Sequence, residues 1–313
     1  MHAEAKVHAL KRGDRISLIA PSGAAADPDR AVSAARALRS LGFDVAVAPG
    51  CTQAYGYLAG SDAQRASDFQ AAFADPETRG VVCLKGGYGT PRMLDRIDWS
   101  VVARNPKPFA GYSDITGLHL AIARTCGFPS FHAPMPSSDM LPDFDPDSRA
   151  SFLRALCATE PLGVFVNPDG AEISALRGGR AEGVLAGGNL SLVAACMGTP
   201  WELDARGKIL FFEDIDEAPY RVDRMLTQLR LAGKFDDCAG IVLGAWTNCV
   251  APEGRRTLSL ERVFDDIFPR DKPVLAGLQV GHCAPTLTLP LGVRCRIDAE
   301  SGIFEALESA CVP

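Results

Sequence analysis

Gly80-Val81-Val82-Cys83-Leu84 is an unbroken apolar run that stops at Lys85-Gly86-Gly87-Tyr88-Gly89. A strand without a polar residue on either face belongs in the middle of a parallel sheet covered on both sides. The segments around it alternate accordingly. Before it, Arg15-Ile16-Ser17-Leu18-Ile19-Ala20 reads as a strand stopped by Pro21-Ser22-Gly23, and residues 27–41 have helical periodicity up to Gly42. Phe43-Asp44-Val45-Ala46-Val47 is the next strand, and 61–74 is a polar helix opening at Ser61. After it come a helix near 92–97, the short strand Pro108-Phe109-Ala110-Gly111-Tyr112, a helix from Asp114 through Arg124, and a short segment from Phe128 to His132. The pattern predicts an α/β fold whose N-terminal domain is built on a parallel sheet.

Between about Pro136 and Arg180, Pro, Asp and Ser accumulate and the one clear helix lies near 148–158. This stretch reads as a crossover. The expected division is 1–150, 151–180 as linker, and 181–313. In the last part Val184 to Gly188 leads into a helix over 189–197, and Lys208-Ile209-Leu210-Phe211-Phe212 is a strand stopped by Glu213-Asp214-Ile215-Asp216-Glu217. An amphipathic helix follows over 220–232. Strands are expected at 240–244 and 273–278, with β-type alternation over 287–297 and 303–307.

A chain of 313 residues with 47% apolar and 22% charged residues suits a globular protein of two domains. A formal charge of −6 without a basic run argues against nucleic acid as a partner. No stretch has membrane-spanning length, and Met1 to Arg15 lacks the apolar core of a signal peptide, so a cytoplasmic protein without a membrane partner is expected. The ten cysteines are dispersed, mostly in apolar strings, with no C-x-x-C pair. They read as buried free thiols, and no metal and no cofactor is expected.

Ser113 sits at the junction of an apolar strand and a helix, where a hydroxyl is presented beside the first free N–H groups of that helix. Gly111-Tyr112-Ser113-Asp114-Ile115 lacks the second glycine of the G-x-S-x-G elbow. Two readings stand: a mounted nucleophile, or a plain helix cap. A nucleophilic serine needs a histidine held by a carboxylate. Of the five histidines, His2 and His8 lie in an expectedly frayed terminus, His119 is six residues along the helix, and His132 is in the apolar loop Phe131-His132-Ala133-Pro134-Met135. His282, in Gln279-Val280-Gly281-His282-Cys283-Ala284-Pro285, follows a strand end and is the candidate base, against the alternative of a surface-loop histidine. Glu213 or Asp214, just past the Ile209 to Phe212 strand, is the candidate carboxylate, against a merely solvated acidic loop. The N–H groups of Gly86-Gly87-Tyr88-Gly89 and of Asp114 could receive an oxyanion. The glycine loop is also open to reading as a tight turn or as a phosphate cradle in a nucleotide-binding protein, although it matches neither phosphate-binding fingerprint.

Taken together, Ala20-Pro21-Ser22-Gly23, Lys85-Gly86-Gly87-Tyr88-Gly89 with Arg92, Gly111-Tyr112-Ser113-Asp114, Phe131-His132-Ala133-Pro134-Met135, Gly187-Gly188-Asn189-Leu190, Phe212-Glu213-Asp214 and Gly281-His282 resemble, in order and spacing, the LD-carboxypeptidases. These are serine peptidases of the murein tetrapeptide carboxypeptidase and microcin-immunity type. The resemblance runs from about Gly13 to about Leu307. It implies a Ser113-Glu213-His282 triad, an oxyanion hole from the N–H groups of Gly87 and Asp114, a smaller β-rich C-terminal α/β domain, and a homodimer. Tyr88, Arg92 and Asn189 become candidate substrate-binding residues. Lys85 stands where arginine is frequent in the family and Ala133 where glycine is frequent. The implied activity is removal of the terminal D-alanine from a murein tetrapeptide, a small peptide substrate, during cytoplasmic wall recycling. A second branch cuts aminoacyl-nucleotide conjugates and tends to offer aromatic residues to the base. The three tryptophans here, Trp99, Trp201 and Trp246, lie in no evident substrate loop, which favours the wall-peptide activity.

Overall fold

The computed structural model describes residues 6–251 and 253–313; His2 lies outside them. The first sheet has six strands, in the spatial order Leu289–Leu291, Ser130–His132, Phe109–Gly111, Gly80–Cys83, Arg15–Ile19 and Asp44–Val47. All neighbours are parallel except Leu289–Leu291, which runs antiparallel to Ser130–His132. Gly80–Cys83 is central and fully buried, as its sequence requires. From Arg15–Ile19 the chain goes first to one side and then to the other. The order therefore reverses between that strand and Gly80–Cys83, and beyond the carboxyl ends of such a pair lies the ligand crevice of open α/β sheets. The loops that follow both strands meet there, with the Gly23 N–H donating to the Gly86 carbonyl at 3.2 Å.

The second sheet has eight strands, in the order Gly163–Val164, Ile303–Ala306, Arg294–Asp298, Arg180–Asn189, Lys208–Ile215, Gly240–Thr247, Val274–Ala276 and Ser174–Arg177. The four from Arg180–Asn189 to Val274–Ala276 are parallel, and the outer pairings are antiparallel. The fold is thus α/β with a parallel sheet and a second, mixed sheet. Buried apolar side chains form two clusters among the described residues: one is continuous between the sheets and includes Phe109, Ile115, Leu185, Ile209 and Phe211, and the other includes Leu210, Phe212, Val222 and Leu226.

The helices start where local chemistry satisfies their free N–H groups. Ser61 caps Asp62–Ala74 by accepting from the Gln64 N–H, and Asn189 caps Leu190–Ala195 by accepting from the Leu192 N–H. Three expectations change. The helix expected near 92–97 is a run of 3₁₀ turns, Thr90–Arg96. His132 ends a strand rather than lying in a loop, because residues 130–132 find the free edge of Phe109–Gly111. His8 belongs to the strand Val7–His8, paired with Cys311–Val312, so the far end of the chain holds it in place. Among the described residues no helix is long and apolar enough to cross a membrane.

Candidate active site

Ser113 follows Phe109–Gly111 and opens a 3₁₀ turn, Ser113–Ile115, that runs into the helix Thr116–Thr125. Its φ is +63°, left-handed for a residue with a Cβ. Such backbone costs about 1–3 kcal/mol and persists where surrounding structure enforces it. Asp114 supplies the enforcement. Its buried carboxylate accepts from Ser22 Oγ at 2.7 Å and from the Thr90 N–H at 2.8 Å, tying together the ends of three strands. Burial raises the Asp114 pKa, and the bonds from Ser22 and Thr90 oppose that shift. Gly86 has to be glycine, since a Cβ there would lie 2.9 Å from Ser113 Cβ and 3.0 Å from its Oγ. Among the described residues the Ser113 hydroxyl makes no hydrogen bond and caps no helix, so the plain-cap reading has no bond behind it.

Glu213 lies in the strand Lys208–Ile215 and is fully buried. The register against Gly240–Thr247 shifts between Phe212 and Asp214, a bulge of the kind that re-aims a side chain. Strand alternation then separates the two carboxylates left open by the sequence. Phe212 and Asp214 face one way, and Asp214 is engaged by Asn189 Nδ2 at 2.9 Å, the Ser191 N–H at 2.9 Å and Ser191 Oγ at 2.8 Å. Phe211 and Glu213 face the first sheet. Glu213 Oε2 accepts from His282 Nδ1 at 2.7 Å and from the His282 N–H at 3.2 Å. Gly281, with φ +105°, leaves the carboxylate its space, because a Cβ there would lie 2.3 Å from Oε2.

His282 is held at three points. Besides the two bonds to Glu213, its carbonyl accepts from Thr247 Oγ1. Its ring lies 4.7 Å from that of Tyr112, the residue before Ser113, and among the described residues its Nε2 bonds to no group. Ser113 and His282 are not hydrogen-bonded to one another. Burial pulls the His282 pKa down, but the hydrogen bond and charge of Glu213, with Asp214 and Asp139, outweigh it and the net shift is upward. Among the described residues the other two left-handed non-glycine positions, Asp216 and Asn248, follow the adjacent strands and bond to each other at 2.6 Å. All three such residues thus lie just beyond strand carboxyl ends.

The crevice at the switch point, about 660 Å³, is bordered by Gly23, Tyr57, Lys85, Gly87 and Tyr88, among others. Gly87 has φ +122°, and among the described residues its N–H has no hydrogen-bond partner. Tyr88 is 49% exposed with its ring 5.8 Å from that of Tyr57. Arg92 turns outward, and its Nε and Nη2 pair with the Asp62 carboxylate at 3.1 and 3.0 Å. Asn189 is buried under Asp214. The structure therefore gathers Ser113, His282 and Glu213 around Tyr112 and brings Gly87 and Tyr88 to the crevice, while Arg92 and Asn189 are engaged in local bonds.

Comparison with known proteins adds to this geometry. The family models for the LD-carboxypeptidase N-terminal domain and C-terminal domain match residues 16–133 and 182–297. A relative from Bacillus subtilis (strain 168), named "Probable murein peptide carboxypeptidase", is 41% identical over 305 residues, covering 96% of this chain and 94% of its own. The chain belongs to the LD-carboxypeptidase family. By that membership it is a serine-type carboxypeptidase, a hydrolase. The crystal structure of a muramoyltetrapeptide carboxypeptidase from Oxalobacter formigenes superposes on this LD-carboxypeptidase with a TM-score of 0.81 at 32% identity, over 93% of this chain and 97% of that one. The structure of MccF in complex with glutamyl sulfamoyl guanosine has a TM-score of 0.88 at 24% identity, over 98% and 99% of the chains, a likeness of fold.

Sequence reasoning passed over Tyr112, Asp139 and His132. Tyr112 donates to Asp139 Oδ1 at 2.9 Å while its ring lies against His282. Asp139 sits near the start of the stretch, from about Pro136, that reads as a crossover, and nothing local marks it. His132 had a signal: strand-like neighbours beside the strand that carries Ser113.

Proposed function

We propose that this LD-carboxypeptidase hydrolyses the L,D-peptide bond before the terminal D-alanine of a murein tetrapeptide through a Ser113-His282-Glu213 triad. The observation that carries the reading is the buried Glu213–His282 pair, bonded at 2.7 Å, placed against the residue that precedes Ser113. The substrate class rests on the relatives named for murein peptides. Ser113 Oγ attacks the scissile carbonyl carbon while His282 Nε2 takes its proton. Glu213 holds the Nδ1–H and stabilises the imidazolium. The carbonyl oxygen becomes an oxyanion facing the N–H groups of Gly87 and Asp114. Return of the proton to the leaving nitrogen releases D-alanine and leaves an ester on Ser113. Water, deprotonated by His282, then hydrolyses that ester.

Purified protein should release free D-alanine from a murein tetrapeptide and spare the same peptide ending in L-alanine, read by amino-acid analysis. Absence of D-alanine release would overturn the substrate assignment. The exposed Tyr57–Tyr88 pair is the one feature that favours the second reading, cleavage of an aminoacyl-nucleotide conjugate, since such rings can stack on a base. An aminoacyl sulfamoyl nucleoside belongs in the same assay and is expected to be spared.

The pH dependence follows from the base. His282 accepts a proton only when neutral, and Glu213 favours its charged form. kcat/KM should therefore rise with pH through a limb above the ordinary histidine value of about 6.5 and fall away below it. A limb at or below that value would contradict the role given to Glu213. A cytoplasmic homodimer completes the reading. The ten cysteines, all free, support a reducing compartment.

A further inference from the structure

His119 and His132 are both fully buried and unused by the mechanism. His132 is the one of the two whose ring is left unbonded: among the described residues neither of its ring nitrogens has a hydrogen-bond partner. Its Nε2 lies 3.9 Å from Glu213 Oε1, which is likewise buried and without a partner. The other carboxylate oxygen, Oε2, already accepts both bonds from His282. Unmatched buried polar groups are costly, and most of all on a carboxylate. Here the orphan donor and the orphan acceptor face each other across the gap between the two sheets.

The surroundings leave His132 no other partner. Its ring lies 5.1 Å from Phe211, 5.6 Å from Tyr112 and 6.4 Å from His119. His119 is committed, with Nδ1 on Ser130 Oγ and Nε2 on the Gly111 carbonyl, both at 2.8 Å. The Tyr112 hydroxyl is turned to Asp139. The titratable groups around the ring are thus Glu213, His119, His282 and Tyr112, and burial together with the two histidines keeps the His132 pKa well below the ordinary value. A neutral imidazole carries one N–H. Only at Nε2 does an acceptor await it, and a shortening of about 0.9 Å from 3.9 Å would give an ordinary N–H···O bond.

We propose that His132 is a positioning residue whose neutral Nε2–H is aimed at Glu213 Oε1, clamping the carboxylate from the side opposite His282. His132 and Ser113 ride on neighbouring strands of the first sheet, in register at Gly111 and His132. Glu213 and His282 come from the second sheet and the loop after it. The clamp makes the first sheet set the orientation of the carboxylate that the second supplies, so that His282 meets Ser113 in a fixed geometry. It rests on the triad reading given above.

The test combines NMR of ¹⁵N-histidine-labelled wild-type protein with two variants. His132 should remain neutral with its proton on Nε2 from pH 5 to 9, and its resonances should move in Glu213→Gln. His132→Leu should lower kcat roughly 10- to 100-fold, the scale of a lost bond to a charged group, with KM changed little. Its acidic limb should move to higher pH, because the positive end of the N–H dipole no longer opposes the imidazolium. His132→Gln, which keeps a donor, should recover most of both. A proton on Nδ1, or titration of His132 within that range, would overturn the proposal even if no variant folds. So would a folded His132→Leu with wild-type kcat and limb. Failure of the triad itself would appear separately, as tetrapeptide hydrolysis surviving Ser113→Ala.

Discussion

Ser113→Ala should lower D-alanine release from a murein tetrapeptide by a factor on the order of 10⁴–10⁶, because nucleophile, base and carboxylate act as a unit. Release of D-alanine under single-turnover conditions is the measurement, and a rate within tenfold of wild type would remove Ser113 from the mechanism. Folding should be unaffected, since the hydroxyl bonds to nothing among the described residues. Ser113→Gly sharpens the test. At φ +63° the serine carries backbone strain of about 1–3 kcal/mol that glycine does not. Glycine's greater freedom in the unfolded chain offsets about 0.4–1 kcal/mol of that relief. The glycine variant should therefore be as inactive as the alanine variant yet melt no lower than wild type. Activity and stability would be set against each other at one position, as expected where strain serves presentation of a group.

Glu213→Gln should lower kcat by about 10³–10⁴ with little change in KM, the scale seen when a triad carboxylate becomes an amide. The substitution keeps the shape of a fully buried side chain and removes its charge. Two losses follow. The imidazolium that forms during attack has no counter-charge, and an amide N–H turned toward Nδ1 would stabilise the tautomer whose Nε2 already carries a proton. The His282 limb should also move to lower pH, because the bond and charge that raise its pKa are gone. Parallel pH–rate profiles of wild type and variant decide the matter. An unchanged limb would mean that Glu213 does not control His282.

Much of the site is legible locally. Each of Ser113, Glu213 and His282 follows or ends a short apolar segment, and a residue at the carboxyl end of a parallel strand opens onto the crevice. The choice between Glu213 and Asp214 is not local. Alternation states that adjacent residues face opposite ways, but not which face meets the first sheet, and a bulge at that point alters the register. Asp214 is spent on the start of Leu190–Ala195, a contact to residues 23 and 25 positions back. Whether Ser113 caps a helix was equally open. In the 3₁₀ turn its hydroxyl makes no cap bond, and neither that turn nor the helix after it is capped by a side chain. His132 looked like a loop residue because three residues are too few to show a period. Only pairing with Phe109–Gly111 makes them a strand.

By itself the sequence determined the α/β class, the central place of Gly80–Cys83, and the three strand ends bearing a serine, an acid and a histidine, because apolar periodicity and turn residues act within a few positions. The resemblance to a family pointed to Glu213, but only the tertiary structure showed how Glu213 rather than Asp214 comes to meet His282, that Gly281 leaves room for it, and that His132 faces it from the other sheet. These depend on groups 69 and 81 residues from Glu213, counted to His282 and back to His132, packed together between two sheets. Their energies arise from burial and direct contact, which no local pattern of residues encodes.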